Sequence, residues 1–125
     1  LQEKKKEEQE KKKEIENNTP ILLENINDFK DYPDKYIGKI LVSECFFSSK
    51  NGLKLKNLIE SSKKDTIPIY LDLMSSNGSV DMKMDFATNL QAPNITGGYE
   101  PLVVTFLFTK GDFFSGNKVI SITRK

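Results

Sequence analysis

The chain contains 125 residues, 30% of them charged, with 19 Lys and Arg against 18 Asp and Glu and a formal net charge of +1. This length suits one domain at most, and the nearly balanced charge gives no overall attraction to nucleic-acid phosphates. The sequence has no His, a single cysteine (Cys45) and neither a Gly-rich phosphate loop nor a Cys-x-x-Cys pair. These features argue against an enzyme, against a bound cofactor or metal and against an internal disulfide.

The first element in chain order is a charged segment. Residues 1–16 contain six Lys, six Glu and two apolar side chains, Leu1 and Ile15, so no face of a helix built from them could be buried in a core. Acid-before-base pairs at four-residue spacing, such as Glu7 with Lys11, favour a solvated helix or tether, and a coiled-coil arm is the alternative. The sequence therefore predicts a charged helix or tether over residues 1–18 and a β domain over residues 19–125.

The location of the protein can be predicted from what precedes the β domain. The sequence does not begin with Met, and its longest apolar stretch, Leu102 to Phe108, is far shorter than the roughly 20 residues of a membrane span. A charged spacer before a β domain is common in exported bacterial proteins. We expect an exported or cell-envelope protein, lipoprotein-like, with an upstream signal peptide or membrane anchor; the alternative is the cytoplasm.

One or two short helices are expected around the first strand. Leu22, Ile26 and Phe29 have helix-like spacing between Ile21 and Tyr32. The first strand follows over Lys39 to Ser48, where most positions on both faces are apolar, as in a central strand. A second helix, or alternatively an extended excursion, is expected to present one apolar side, which would hold Leu55, Leu58 and Ile59.

A β-hairpin can be predicted together with its register. Asn77-Gly78 favours a two-residue type I′ turn that pairs Ser76 with Ser79, between strands over Ile67 to Met74 and Val80 to Phe86. One face is then apolar and consists of Ile69, Leu71, Leu73, Met82, Met84 and Phe86. The other face is polar and consists of the cross-strand pairs Met74–Asp81, Asp72–Lys83 and Tyr70–Asp85. A slip of one residue would bury the charged side chains, so the sequence predicts a half-solvated antiparallel sheet.

Two more strands complete the predicted fold, over Leu102 to Thr109 and Lys118 to Thr123, joined by a Gly-containing loop. Five strands with a break between the third and fourth predict a mainly β protein, a five-stranded antiparallel Greek-key barrel with one or two short helices. The stretch Tyr36 to Val42, followed by Leu102 to Phe108 and Asn117 to Ile122, resembles the first, fourth and fifth strands of bacterial OB-fold domains of the tRNA-anticodon-binding-like type. The resemblance covers residues 34–124 and lies in the spacing of the strands and in the residue types within them.

The resemblance implies a ligand surface on the outer face of the second and third strands and in the adjoining loops. On this chain the candidate binding residues are Tyr70, Asp72, Lys83, Asp85, Lys110, Phe113 and Phe114. The outer face carries three Asp and one Lys. This charge is unfavourable for binding nucleic acid, because phosphates are bound by several cations and bases by stacking rings. For the two Phe rings, the alternative to binding is that one closes the open end of the barrel while the other is partly exposed.

The function expected from these features is that of a non-enzymatic binding or accessory module, which recognises a protein or cell-surface partner through loops and an exposed strand edge. The alternative is a single-stranded nucleic-acid-binding OB-fold domain, in which Phe113 and Phe114 would stack on bases beside Lys110 and Lys118. A further alternative is that Asp72, Asp81 and Asp85 hold a hard cation. We favour the interpretation that these three carboxylates are solvated polar residues.

Overall fold

The computed structural model describes residues 19–47, 54–61, 69–87, 90–93 and 100–125. The protein is mainly β, with six strands in one sheet and two short α-helices. The strands are β1 (Ile21–Leu22), β2 (Lys39–Phe47), β3 (Ile69–Ser75), β4 (Gly78–Met84), β5 (Leu102–Phe108) and β6 (Asn117–Arg124). The helices are α1 (Ile26–Asp31) and α2 (Leu55–Ser61), and a 3-10 helix covers Pro33–Tyr36. The predicted charged helix or tether over residues 1–18 lies outside the described residues.

The strand order in the sheet is β4-β3-β2-β5-β6, with β2 at the centre. Every neighbouring pair on this path is antiparallel, whereas β1 pairs with β2 in parallel. Because β2 has neighbours on both edges, it is apolar at most positions, and its inner face buries Leu41, Cys45 and Phe47. The antiparallel sheet predicted from the sequence is confirmed, but it contains six strands rather than five.

The additional strand corrects the predicted helix over Ile21 to Tyr32. Leu22 does not face the core from a helix: it lies in β1, pairs with Val42 and is 57% exposed. The helix begins only at Ile26, because Asn25 Oδ1 accepts a hydrogen bond from Asp28 N at 3.0 Å and so caps the first turn. The remainder of the prediction is confirmed, since Ile26 and Phe29 are fully buried.

The core is one cluster formed by the inner face of the sheet and the buried sides of both helices. The predicted second helix is confirmed as α2, and its buried side chains are Leu55, Leu58 and Ile59. The extended alternative for this segment is therefore wrong. Within the described ranges, every helix is too short or too polar to cross a membrane.

The hairpin has the predicted faces but not the predicted register. Five of the six predicted core residues are buried, and Phe86, which follows β4, is half-buried against the core. The loop, however, consists of Ser76 and Asn77, and Ser75 pairs with Gly78. The pairing is thus displaced by two residues, a shift that leaves each side chain on its own face.

The two outer strands of the sheet, β4 and β6, approach each other at one end. Asp85 and Lys118 form an isolated parallel bridge, in which Asp85 N donates to Asn117 O at 2.7 Å and Val119 N donates to Asp85 O at 3.0 Å. Over the described residues this contact does not continue into a ladder, so the sheet is unclosed. The Greek-key barrel stays a prediction.

Candidate binding site

The seven residues predicted to bind a partner lie in two groups that meet at one point. Tyr70, Asp72, Lys83 and Asp85 lie on the outer face of the hairpin, and Lys110, Phe113 and Phe114 lie in the β5–β6 loop, which we define as residues 109–116. The groups meet where Lys83 N donates a hydrogen bond to Phe113 O at 2.9 Å. The structure therefore joins the loop to the edge of β4.

The outer face of the hairpin has different cross-strand pairs from those predicted. Tyr70 lies opposite Lys83, and Asp72 lies opposite Asp81. The three predicted pairs Met74–Asp81, Asp72–Lys83 and Tyr70–Asp85 are wrong. Met74 lies opposite Ser79, and Asp85 lies beside Lys118. Burial, with the negative charge of Asp81 as the second cause, raises the pKa of Asp72. On this face Asp72 and Asp81 therefore lie opposite each other, and neither has a cation as its cross-strand partner.

The two Phe rings of the loop have different environments. Phe113 is half-buried: its ring packs edge-on against Phe29, with centroids 5.2 Å apart, and stacks on Phe108 at 6.1 Å. Phe114 is 56% exposed. The structure thus has one ring packed and one exposed, as that alternative expects, whereas the barrel end that the packed ring was expected to close stays a prediction. Phe113 therefore anchors the loop, and Phe114 is the ring that faces solvent.

The conformation of the loop around Phe114 is fixed by local hydrogen bonds. Asp112 Oδ1 accepts from Phe114 N at 2.8 Å, and Asp112 Oδ2 accepts from Ser115 Oγ at 3.2 Å. At the base of the loop, Thr109 Oγ1 donates to Gly116 O at 2.7 Å. Gly116 has φ +74°, in the left-handed region that glycine adopts without strain. The exposed ring of Phe114 thus projects from a turn that side-chain hydrogen bonds hold in place.

Asn117 holds the loop against the sheet from within the core. Its side chain is fully buried, and Nδ2 donates to Lys83 O at 3.0 Å and to Asp112 O and Phe113 O at 3.1 Å. Its Oδ1 atom is buried and has no hydrogen-bond partner in the structure as described. A buried unsatisfied oxygen lowers the free energy of unfolding. The amide of Asn117 therefore holds β4 to the loop through Nδ2, while its own Oδ1 stays unpaired.

Sequence reasoning did not single out the exposed side chains of Ile37, which lies beside this loop, and of Tyr32. Ile37 is 43% exposed, and its Cδ1 atom would lie 2.9 Å from a Cβ atom added at Gly111. Tyr32 is 59% exposed, and Lys35 Nζ lies 5.0 Å from its ring centroid. We call Ile37 and Phe114, the two exposed apolar side chains at the β5–β6 loop, the loop-end surface. The sequence could have indicated this surface only through the apolar character of its residues. The proximity of Ile37 to Gly111 joins distant parts of the chain and is not visible in local spacing.

Hydrogen bonds fix the segment that carries Tyr32 and Ile37. Tyr36 Oη donates to Asp28 Oδ2 at 2.6 Å, and Lys35 Nζ contacts Asp28 Oδ1 at 3.2 Å. The bond to Asp28, together with burial, raises the pKa of Tyr36 to about 12, and the bonds from Tyr36 and Lys35 lower the pKa of Asp28. Phe29 also contacts Tyr36 edge-on at 5.2 Å. The 3-10 helix is therefore tied to α1.

Backbone groups at the edge of β4 are partly occupied by bonds within the protein. Lys83 N, in β4, donates to Phe113 O. Just beyond the strand, Asp85 N donates to Asn117 O and Asp85 O accepts from Val119 N. These backbone groups cannot pair with an added strand while the bonds exist. A partner strand would therefore have to pair with other backbone groups, and edge pairing stays a prediction.

Clustered carboxylates and the Cys45 thiol are the other groups that could support chemistry. Among the described residues, no three Cys, Asp or Glu side chains come together as a group that could hold a metal ion. Cys45 is buried, and burial with the nearby charge of Asp72 raises its pKa to about 12, so its thiol is a poor nucleophile. A comparison with known proteins finds neither a family model nor a curated relative that matches this chain.

Proposed function

We propose that this protein is a non-enzymatic binding module that recognises a protein partner through the loop-end surface. The observation that carries the proposal is that Phe114 is 56% exposed on a loop fixed by Asp112, Asn117 and the packed ring of Phe113. A loop that is already ordered loses little conformational entropy on binding. An exposed aromatic ring on such a loop is a typical binding hot spot, worth about 2 kcal/mol or more when a partner buries it.

The arrangement of the outer strands supports an OB-like barrel as the scaffold. The contact of Asp85 with Asn117 and Val119 joins strands at opposite ends of the strand order, as closing a sheet into a barrel requires. In such a barrel the β5–β6 loop and the outer face of β3 and β4 would form one ligand surface. The backbone bond between Lys83 and Phe113 supports this arrangement.

A protein partner is favoured over nucleic acid by the charges beside the loop. The outer face of the hairpin carries Asp72, Asp81 and Asp85 and a single cation, Lys83. Such a face repels phosphates, which normally supply most of the affinity for single strands. Nucleic acid is the second candidate, and titration of the protein with fluorescent single-stranded oligonucleotides at low and high salt tests it. Salt-sensitive binding that Phe114→Ala abolishes would favour this candidate.

The proposed location is the cell envelope, on the basis of the charged segment over residues 1–18. Fractionation of cells that express the full-length natural protein tests the location. Recovery with envelope or secreted material is the expected result, and recovery with cytoplasmic proteins would contradict it.

A photoreactive phenylalanine analogue at position 114 tests the binding function. The matched control carries the analogue at Ile120, which is 48% exposed on β6 and outside the loop. We expect discrete protein adducts from position 114 only, and an excess of unlabelled protein should suppress them, whereas an excess of the Phe114→Ala variant should not. Identical adducts from both positions, or adducts that nuclease removes, would contradict a protein-binding loop.

A further inference from the structure

The register of the β3–β4 hairpin differs from the register that its local sequence favours. Asn77-Gly78 is a strong type I′ turn signal, and the register it favours pairs Asp72 with Lys83. In the structure the loop is Ser76-Asn77, and Asp72 faces Asp81. Since the two registers differ by two residues, both keep the same side chains in the core. The burial of apolar side chains on the inner face therefore favours neither register strongly.

Contacts from α1 favour the observed register at the turn. Asn27 Nδ2 donates to Asn77 O, and Asn77 Nδ2 donates to Asn25 Oδ1, both at 2.6 Å. Ile26 N donates to Ser75 Oγ at 3.1 Å, and Ser75 Oγ donates to Asn77 Oδ1 at 2.6 Å. These bonds require Asn77 at the second loop position. A Cβ atom at Gly78 would collide with Asn27, and Gly78 is outside the left-handed region that an Asn-Gly turn needs.

Contacts at the far end of β4 also depend on this register. Lys83 N bonds Phe113 O, and Asp85 bonds Asn117 and Val119. A shift of two residues would move β4 about 7 Å along β3. These bonds would then be lost, and with them the backbone tie between β4 and the loop that carries Phe114.

We propose that the β3–β4 hairpin is a two-register element that α1 holds in the observed register. Release of the α1 contact lets β4 shift by two residues, which brings Lys83 opposite Asp72 and withdraws it from Phe113. The loop that presents Phe114 then loses its connection to the sheet. The consequence for partner binding rests on the proposed function, whereas the shift itself can be measured without a partner.

Cross-strand disulfides distinguish the registers. Directly opposed residues have Cα atoms about 4.5–5.5 Å apart, within disulfide range, whereas diagonal neighbours are about 7–8 Å apart. The pair Asp72→Cys with Asp81→Cys reports the observed register, and Asp72→Cys with Lys83→Cys reports the shifted one. Both pairs are made in the full chain, where Cys45 is buried and its pKa is raised by burial. The 72–81 pair should oxidise rapidly and the 72–83 pair slowly.

The releasing variant combines Asn27→Ala with Ser75→Ala, which removes two of the three bonds between α1 and the turn. The third, from Asn77 Nδ2 to Asn25 Oδ1, is kept because Asn25 also caps α1. We expect the 72–83 pair to oxidise about tenfold faster in this background. Adding Gly78→Ala should return the rate to its slow value, because alanine is strained at the positive φ of the shifted turn. Since Asn27 is already replaced, the added methyl group meets no asparagine side chain.

Three outcomes would overturn the proposal. The first is an unchanged 72–83 rate in a releasing variant that still melts cooperatively. The second is an increase that persists with Gly78→Ala, since that would indicate general loosening. The third is loss of folding both in the double variant and in Asn27→Ala alone, because α1 would then hold the fold itself and not the register.

Discussion

Asp72 lies directly opposite Asp81 in the antiparallel pairing of β3 and β4. Asp72 is half-buried, and its pKa is raised first by burial and second by the charge of Asp81. A carboxyl with a higher pKa in the folded state favours folding below its unfolded pKa of about 3.9, and this contribution is lost as pH rises through the folded value. The ionised pair therefore weakens the hairpin at neutral pH.

The variant Asp72→Asn should accordingly be more stable than the natural chain at pH 7, by about 0.5 kcal/mol, because it removes a like-charge cross-strand pair. Urea unfolding at a series of pH values measures this gain, which should shrink as pH falls and vanish below about pH 4. The control is Asp85→Asn, since Asp85 lies beside Lys118 and should give no gain. A gain that is equal at pH 3 and pH 7 would contradict the explanation.

Tyr36 should ionise at a higher pH than an ordinary tyrosine. Its hydrogen bond to Asp28 and its burial raise its pKa to about 12, so its contribution to stability is present below the unfolded pKa of about 10 and is lost as pH rises toward 12. Ultraviolet titration should show a late step that Tyr36→Phe removes and Asp28→Asn moves to lower pH. If Tyr70→Phe removed the late step instead, the assignment to Tyr36 would be wrong.

The carboxyl of Asp28 should affect stability at the opposite end of the pH range. Its pKa is lowered by the hydrogen bonds from Tyr36 and Lys35, so its contribution is present above the unfolded value of about 3.9 and is lost as pH falls through the folded value. The stability difference between the natural chain and Asp28→Asn should therefore be present at pH 7 and decline under acid conditions, as followed by urea unfolding.

The neighbouring phenylalanines should respond differently to truncation. Phe113→Ala removes the ring packed on Phe29 and Phe108 and should lower the free energy of unfolding by about 3 kcal/mol. Phe114→Ala removes an exposed ring and should change it by less than about 0.5 kcal/mol. Urea unfolding of both variants measures the contrast. Equal losses would show that Phe114 belongs to the core and does not form a presented surface.

Local patterns predicted the faces of the hairpin, because alternation of apolar and charged residues over Ile69 to Phe86 allows only one face to be buried. They did not predict its register. The bonds of Asn27 to Asn77 and of Asp85 to Asn117 join distant parts of the chain and override the preference of Asn77-Gly78. The short strand β1 was missed for a similar reason, since its pairing with Leu41 and Val42 is invisible in local spacing.

The candidate site was predictable only in part. Phe113 and Phe114 were found because they are aromatic residues in a predicted loop beside Lys110 and Lys118, a combination typical of binding surfaces. Which ring is exposed depends on the position of Phe29 in α1, which no spacing in the loop reveals. The role of Asn117 could not be predicted for the same reason. The three carbonyl groups that accept from its Nδ2 lie on β4 and on the loop and come together only in the folded chain.

Asn117 provides the most direct test of how the loop is held. In Asn117→Asp the introduced carboxylate would replace the Nδ2 donor with an oxygen that faces the carbonyls of Lys83, Asp112 and Phe113. We expect a loss of about 3 kcal/mol in urea unfolding at pH 7, because a buried charge would face acceptors only. Protonation lets the carboxyl donate one hydrogen bond, so part of the loss should be recovered at low pH. The control is Asn57→Asp, at an exposed position on α2; equal effects of the two substitutions would show that the Asn117 amide does not hold the loop.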